Sequence, residues 1–203
     1  MRNNWMRLLA AVLAFGLAAP VSADDQNNRG NDNQNANRQQ DNNRNNDRED
    51  EKEFSDENFV KKVASCNLLE SKLGEIAQLK ATRPNVRFFG KQMVMDHAAA
   101  MNALREAARD ANIQVPNELA DKHKEIHEKF RDYKDEQFDR DYMKQVLDNH
   151  EKSLELYTTA IKEAKNERVR AYAERFRPVI EKHRDQAKKM YEELGGNRDN
   201  DRD

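Results

Sequence analysis

The chain has a single cysteine, Cys66, in 203 residues. It cannot cross-link itself, and a lone thiol of this kind is ordinarily inert packing rather than a reactive group. Breakers are scarce as well. Between residues 55 and 196 the internal glycines reduce to Gly74 and Gly90, which leaves long helices uninterrupted. Beyond the N-terminus no apolar run approaches the roughly 20 residues that span a bilayer, so no membrane helix is expected in the mature chain. Neither sign of charge dominates: 36 basic side chains stand against 38 acidic ones. In the body of the chain the two signs are interleaved, without the basic stripe of a nucleic-acid binder. No glycine-framed serine marks a nucleophile. The Glu-x-x-His motif of di-iron carboxylate bundles is missing too, because Val94 and Ile180 stand three residues before His97 and His183. A di-iron oxidase is therefore the least supported reading, and nothing in the sequence identifies an enzyme.

What is present begins with a charged and then apolar N-terminus. Arg2 and Arg7 precede an apolar run from Leu8 to Ala19, and Val21-Ser22-Ala23 closes it with small residues. This is the pattern of a secretory signal peptide, residues 1–23, removed on export to the periplasm or outer membrane. No cysteine stands at the cleavage point to carry a lipid. Residues 24–54 are almost entirely Asn, Gln, Asp, Glu and Arg, too polar to offset the entropy lost on ordering. We expect a disordered Asn-rich spacer, a solvated tether or a tract that contacts the cell envelope. Residues 197–203 have the same character. Residues 55–196 are then one domain of ordinary size.

Within that domain apolar residues recur at helical spacing in four long stretches. The first, about 55 to 81, opens on Ser55 as N-cap and carries Phe59, Val63, Cys66, Leu73 and Ala77. The second, about 84 to 111, starts with Pro84 in its first turn and carries Val86, Phe89, Met93, Ala100 and Leu104. The third, about 137 to 165, shows Phe138, Tyr142, Val146, Leu154, Tyr157 and Ile161. The fourth, about 167 to 194, shows Val169, Ala173, Phe176, Ile180, Ala187 and Met190, with Pro178 expected to kink it and Gly195-Gly196 to end it. A shorter amphipathic piece, 117 to 131, lies in the long link between the two pairs. The expected fold is all-α: a ferritin-like antiparallel four-helix bundle with a short extra helix in the long crossover. A simple up-down bundle is the alternative.

Each long stretch places a polar residue where its apolar stripe should continue: Glu70, His97, His150 and His183. Counted from the two short turns at about 1.5 Å per residue, the four fall within roughly 8 Å along the bundle axis. Neutral imidazoles and a carboxylate at one level supply the lone pairs that a transition metal needs, so copper or zinc is the cofactor class expected. Asp96, beside His97, is a further candidate, either as a ligand or behind one. Met93 and Met101 flank His97 at one-turn spacing and would suit copper, although Met on a stripe is also ordinary core filler. His123 and His127 form an i, i+4 pair that reads as solvated. The competing reading is a set of satisfied core histidines that fixes helix register.

The strings Phe88-Phe89-Gly90-Lys91-Gln92-Met93-Val94-Met95-Asp96-His97, Phe138-Asp139 with Tyr142, His150, and Arg177-Pro178 with Glu181 and His183 resemble the bacterial family called domain of unknown function 4142. The resemblance implies an exported, ferritin-like bundle of unestablished activity. The family's Asp-His pair is matched by Asp96-His97, whereas a second such pair reads Asn149-His150 here. Two functions of different class follow. One is an exported bundle that holds a metal ion as a buffer or stress sink; the other is a non-catalytic envelope protein whose polar layer is structural. The oligomeric state is not legible.

Overall fold

The computed structural model describes residues 54–134 and 137–196. The expected signal peptide and tail, and all of the expected spacer but Phe54, lie outside the described residues. Five helices form: α1 (Asp56–Lys80), α2 (Pro84–Asp110), α3 (Asp121–Arg131), α4 (Phe138–Glu163) and α5 (Glu167–Glu193). Among the described residues there is no strand, and no helix is long and apolar enough to cross a membrane.

The caps explain where the helices start and stop. Ser55 accepts from the Asn58 N–H, and Asn166 accepts from the N–H groups of Arg168 and Val169, each satisfying donors that have no partner inside the helix. Gly195, at φ 85°, takes the left-handed conformation that ends α5. That helix continues unbroken through Pro178. The crossover helix begins at Asp121, four residues later than its periodicity suggests. Leu119 is tucked into the core there, and the Ala120 N–H donates to Ser65 Oγ at 2.8 Å, a contact a helical Ala120 would not be free to make.

Two antiparallel hairpins, α1–α2 and α4–α5, pack side by side, and the first turn of α1 and of α4 secures the tight link of the opposite hairpin. Asp56 accepts from the backbone N–H groups of Lys165 and Asn166 at 3.1 and 2.8 Å. Asp139 accepts from Thr82 N–H, Thr82 Oγ1–H and Arg83 N–H at 2.9, 2.9 and 2.8 Å. Both carboxylates thus sit against backbone donors of a turn, where negative charge is favoured. These contacts set α1 antiparallel to α4, so the chain must return along the whole bundle between the hairpins. It does so through α3, laid on α1. One long crossover between two pairs is the connectivity that the link lengths predict.

The two hairpins match at a few positions at a spacing of 83 residues. Asp56 corresponds to Asp139, Val63 to Val146, Ala77 to Ala160, Ala81 to Ala164, Val86 to Val169 and Arg87 to Arg170. The structure repeats with it: Arg87 donates to the carbonyl of Ala81 at 2.7 Å, and Arg170 to the carbonyl of Ala164 at 2.5 Å.

The core is divided. One apolar cluster, with Phe59, Val63, Leu104, Tyr157, Tyr172 and Phe176, fills the end near the α4–α5 turn. A second, with Leu73, Val86, Phe89, Met93, Phe130 and Tyr142, fills the other. Between them lies a layer of buried polar side chains. Beside this layer α1 and α2 approach until a Cβ on Gly74 would stand 2.5 Å from the Gly90 carbonyl oxygen. Helix propensity favours alanine over glycine by about 1 kcal/mol, but a backbone oxygen cannot yield that much space. Gly74→Ala should therefore destabilise the fold by about 2–3 kcal/mol net of propensity; chemical denaturation would show the midpoint falling, and an unchanged or higher midpoint would contradict this packing.

Candidate metal centre

His97 on α2, His150 on α4 and His183 on α5 occupy the centre of the polar layer, each 0 to 3% exposed. Their ring centroids form an equal-sided triangle, 5.5 Å on every edge. One ring nitrogen of each is held by an acceptor outside the triangle. His97 Nδ1 lies 2.9 Å from Asn67 Oδ1, His150 Nδ1 lies 2.9 Å from the Val146 carbonyl oxygen, and His183 Nε2 lies 2.9 Å from Asp96 Oδ2. A carbonyl and a carboxylate only accept, so those nitrogens carry the protons. The lone pairs are thereby assigned to His97 Nε2, His150 Nε2 and His183 Nδ1, three buried atoms with no hydrogen-bond partner.

The triangle has the dimensions of a three-imidazole coordination site. Its centre is about 3.2 Å from each centroid, which equals a zinc–nitrogen bond of about 2.0–2.1 Å plus roughly 1.1 Å from nitrogen to ring centre. One ligand atom from each histidine lies within 4.8 Å of the others, so closing on an ion calls for rotation of rings that are already in place.

Burial keeps the three imidazoles neutral. Desolvation pushes His97 well below the ordinary imidazole range, and His150 and His183 alongside add to the effect. Desolvation first, then His183, takes His150 down to about 3. His183 is also lowered by burial, against the pull of the Asp96 carboxylate in the other direction. All three nitrogens are consequently available as ligands at neutral pH.

The other anticipated residues fall around this triangle. Glu70 is buried in the same layer but is not one of the three convergent groups. It accepts from Asn149 Nδ2 at 2.8 Å and lies 4.0 Å from His150 Nδ1, the nitrogen turned away from the centre. Burial pushes its carboxyl up to about 8, so near neutral pH this close approach joins an imidazole to a carboxylic acid rather than two charges. Asp96 stands behind His183. Cys66, half-buried, has its thiol pushed up to about 12 by burial first and then by Glu70, which makes it inert. Met93 and Met101 are buried, one in each apolar cluster. The anticipated pairing of His123 with His127 as solvated residues does not hold: His123 Nδ1 lies 2.7 Å from Ser65 Oγ and helps dock α3 on α1.

Asn67 is the member that periodicity reasoning missed. It follows Val63 by one turn on the buried stripe, the same signal that singled out the histidines. It joins His97 to Tyr172, whose hydroxyl accepts from Asn67 Nδ2 at 3.3 Å and meets Tyr157 OH at 3.2 Å.

Residues 39–190 match the family described as Domain of unknown function (DUF4142). No curated protein and no solved structure matches the chain.

In the metal-free protein these groups set opposite pH trends. The histidines are depressed in the folded state, so the unfolded chain binds more protons below about 6.5 and stability falls as pH drops from there toward 3. Glu70 is raised, so its share is complete below 4.5 and is lost as pH rises through about 8. Urea unfolding in chelator between pH 4 and 9 should show both declines. Glu70→Gln should abolish only the alkaline one; an alkaline decline that survives this substitution would contradict the assignment.

Proposed function

We propose, starting from the fact that this chain belongs to the domain of unknown function 4142 family, that its bundle holds one transition-metal ion, copper or zinc. The ligands are His97 Nε2, His150 Nε2 and His183 Nδ1. The observation that carries this reading is the set of three buried, unpartnered nitrogens on rings whose other nitrogens are all tied down. A buried acceptor without a partner costs about 1–3 kcal/mol, and three of them around one point are hard to account for as packing. A bound ion satisfies all three at once.

The donor set bears on the kind of ion. Three imidazoles suit zinc, copper and nickel better than the hard cations that prefer oxygen. Asp96, His183 and the ion would form the carboxylate–imidazole–metal arrangement that orients a ligand and raises its basicity, and Asn67 and the Val146 carbonyl do the same for the other two rings. The ligands are closed off from solvent on every side, which favours holding an ion over turning over a substrate. Together with an N-terminus that reads as an export signal, this supports a role as a metal buffer or stress sink in the periplasm or at the outer membrane.

A second reading makes the layer a register device in a structural envelope protein. It is favoured by the bonds His97–Asn67 and His183–Asp96, which tie α2 to α1 and to α5. It leaves the three inner nitrogens without a purpose.

Protein lacking the N-terminal 23 residues and any His tag, stripped with chelator and titrated with zinc or copper, should take up one equivalent. At about a thousandfold excess over Kd, binding adds roughly 4 kcal/mol to stability. Asn67→Ala should weaken binding about 10- to 100-fold, and replacing all three histidines by leucine should abolish it. A wild-type protein that binds neither ion and melts at the same temperature with and without them would refute the metal reading and leave the register device.

A further inference from the structure

The three imidazoles are sealed, so an ion must reach them through one of the seams between helices. Within each hairpin the helices pack closely, down to the contact of Gly74 with Gly90. The two seams between hairpins, α2–α5 and α1–α4, are the alternatives, and each carries polar side chains from the surface to the triangle.

Along α1–α4 the polar lane is closed. Gln145 Nε2 donates to Asn149 Oδ1 at 2.9 Å and Asn149 Nδ2 to Glu70 Oε1 at 2.8 Å. The lane ends on a carboxyl that is 2% exposed and bonded to Asn149, out of reach of solvent. Along α2–α5 the situation differs in every respect. Asp96 has 39% of its side chain exposed while bonding at 2.9 Å to the wholly buried His183. It therefore reaches both solvent and a ligand ring. The amides over it are loosely held: Gln92 Nε2 lies 3.4 Å from Asp96 Oδ2 and 3.5 Å from Gln186 Oε1, at the outer limit of hydrogen bonding.

We propose that the α2–α5 seam is the route by which the divalent ion enters and leaves, with Asp96 as the residue that meets the hydrated cation at the mouth, beside the His183 ring. This rests on the metal reading above and deepens it. A carboxylate at the mouth draws cations by charge, an attraction that speeds association and weakens with salt. Gln92 and Gln186 are displaced by rotation of side chains alone.

Asp96→Asn separates the two roles of the carboxylate, because the amide oxygen still accepts from His183 Nε2 while the charge is gone. Stopped-flow uptake of Zn2+ from a fluorescent chelator by the metal-free protein should slow at least tenfold in Asp96→Asn and lose most of its salt dependence. The equilibrium Kd should change by less than the rate. Gln92→Lys, which adds a cation at the mouth without touching the ligands, should slow uptake in a correctly folded protein even if Asp96→Asn is unstable. Gln145→Ala, on the other seam, should take up Zn2+ at the wild-type rate. Uptake unchanged in both Asp96→Asn and Gln92→Lys, or slowed equally by Gln145→Ala, would overturn the route while leaving equilibrium binding intact. Absence of any Zn2+ or copper binding by the wild-type protein would overturn the metal reading itself, and the route with it.

Discussion

The structure depends on one constraint: three imidazoles sit in the middle of an apolar core, and each needs an acceptor for its single N–H. Three helices contribute to meeting it. α1 supplies Asn67, α2 supplies Asp96, and α4 turns its own Val146 carbonyl to His150. Because an acceptor takes one nitrogen of each ring, the lone pair is left on the other. A core that only needed to bury histidine could have satisfied both nitrogens of each ring. This one satisfies the outer nitrogen three times with protein groups and the inner one never.

The two hairpins agree in their clamps and differ in the layer. At the 83-residue spacing, Asn67 corresponds to His150, His97 to Ile180 and Ala100 to His183. The residues that hold the fold together, Asp56 and Asp139 at the turns and Arg87 and Arg170 behind them, are kept in both halves. The residues of the layer are not. Symmetry is thus preserved where the hairpins clamp one another and broken in the polar layer. Two copies of one hairpin would place equivalent groups around the axis in pairs, which cannot yield three inward nitrogens.

Much of the architecture was legible in the sequence because long amphipathic helices announce themselves by period, and Ser55, Pro84, Asn166 and Gly195 mark their ends. The depth of His97, His150 and His183 was legible for the same reason, since rise per residue converts position into height once the turns are placed. What periodicity does not convey is direction around the axis. Glu70 has the right height, yet it bonds Asn149 and faces the outer nitrogen of His150. A count along the chain cannot distinguish a residue inside the triangle from one behind it. Hydrogen-bond partners on neighbouring helices are illegible for a related reason: Asn67, the Val146 carbonyl and the Ser65 contact of His123 depend on which faces meet. The spacing that relates the hairpins was present in the sequence but faint, carried by a few positions among many that differ.

The placement of the triangle between hairpins couples its occupancy to the fold. One hairpin contributes His97 and the other His150 and His183, and the hairpins touch each other less closely than the helices within them do. The interface that is weakest in packing is therefore the one an ion would cross-link. An ion bound there draws on the free energy of closing the bundle, so a looser seam lowers the barrier to exchange and the strength of retention together. The carboxyl of Glu70 acts on the same balance from the other side. Held protonated by burial, it completes the polar layer without adding a charge that the apolar ends could not tolerate, and so, among the described residues, the carboxylate bonded directly to one of the three rings is the one that also meets solvent.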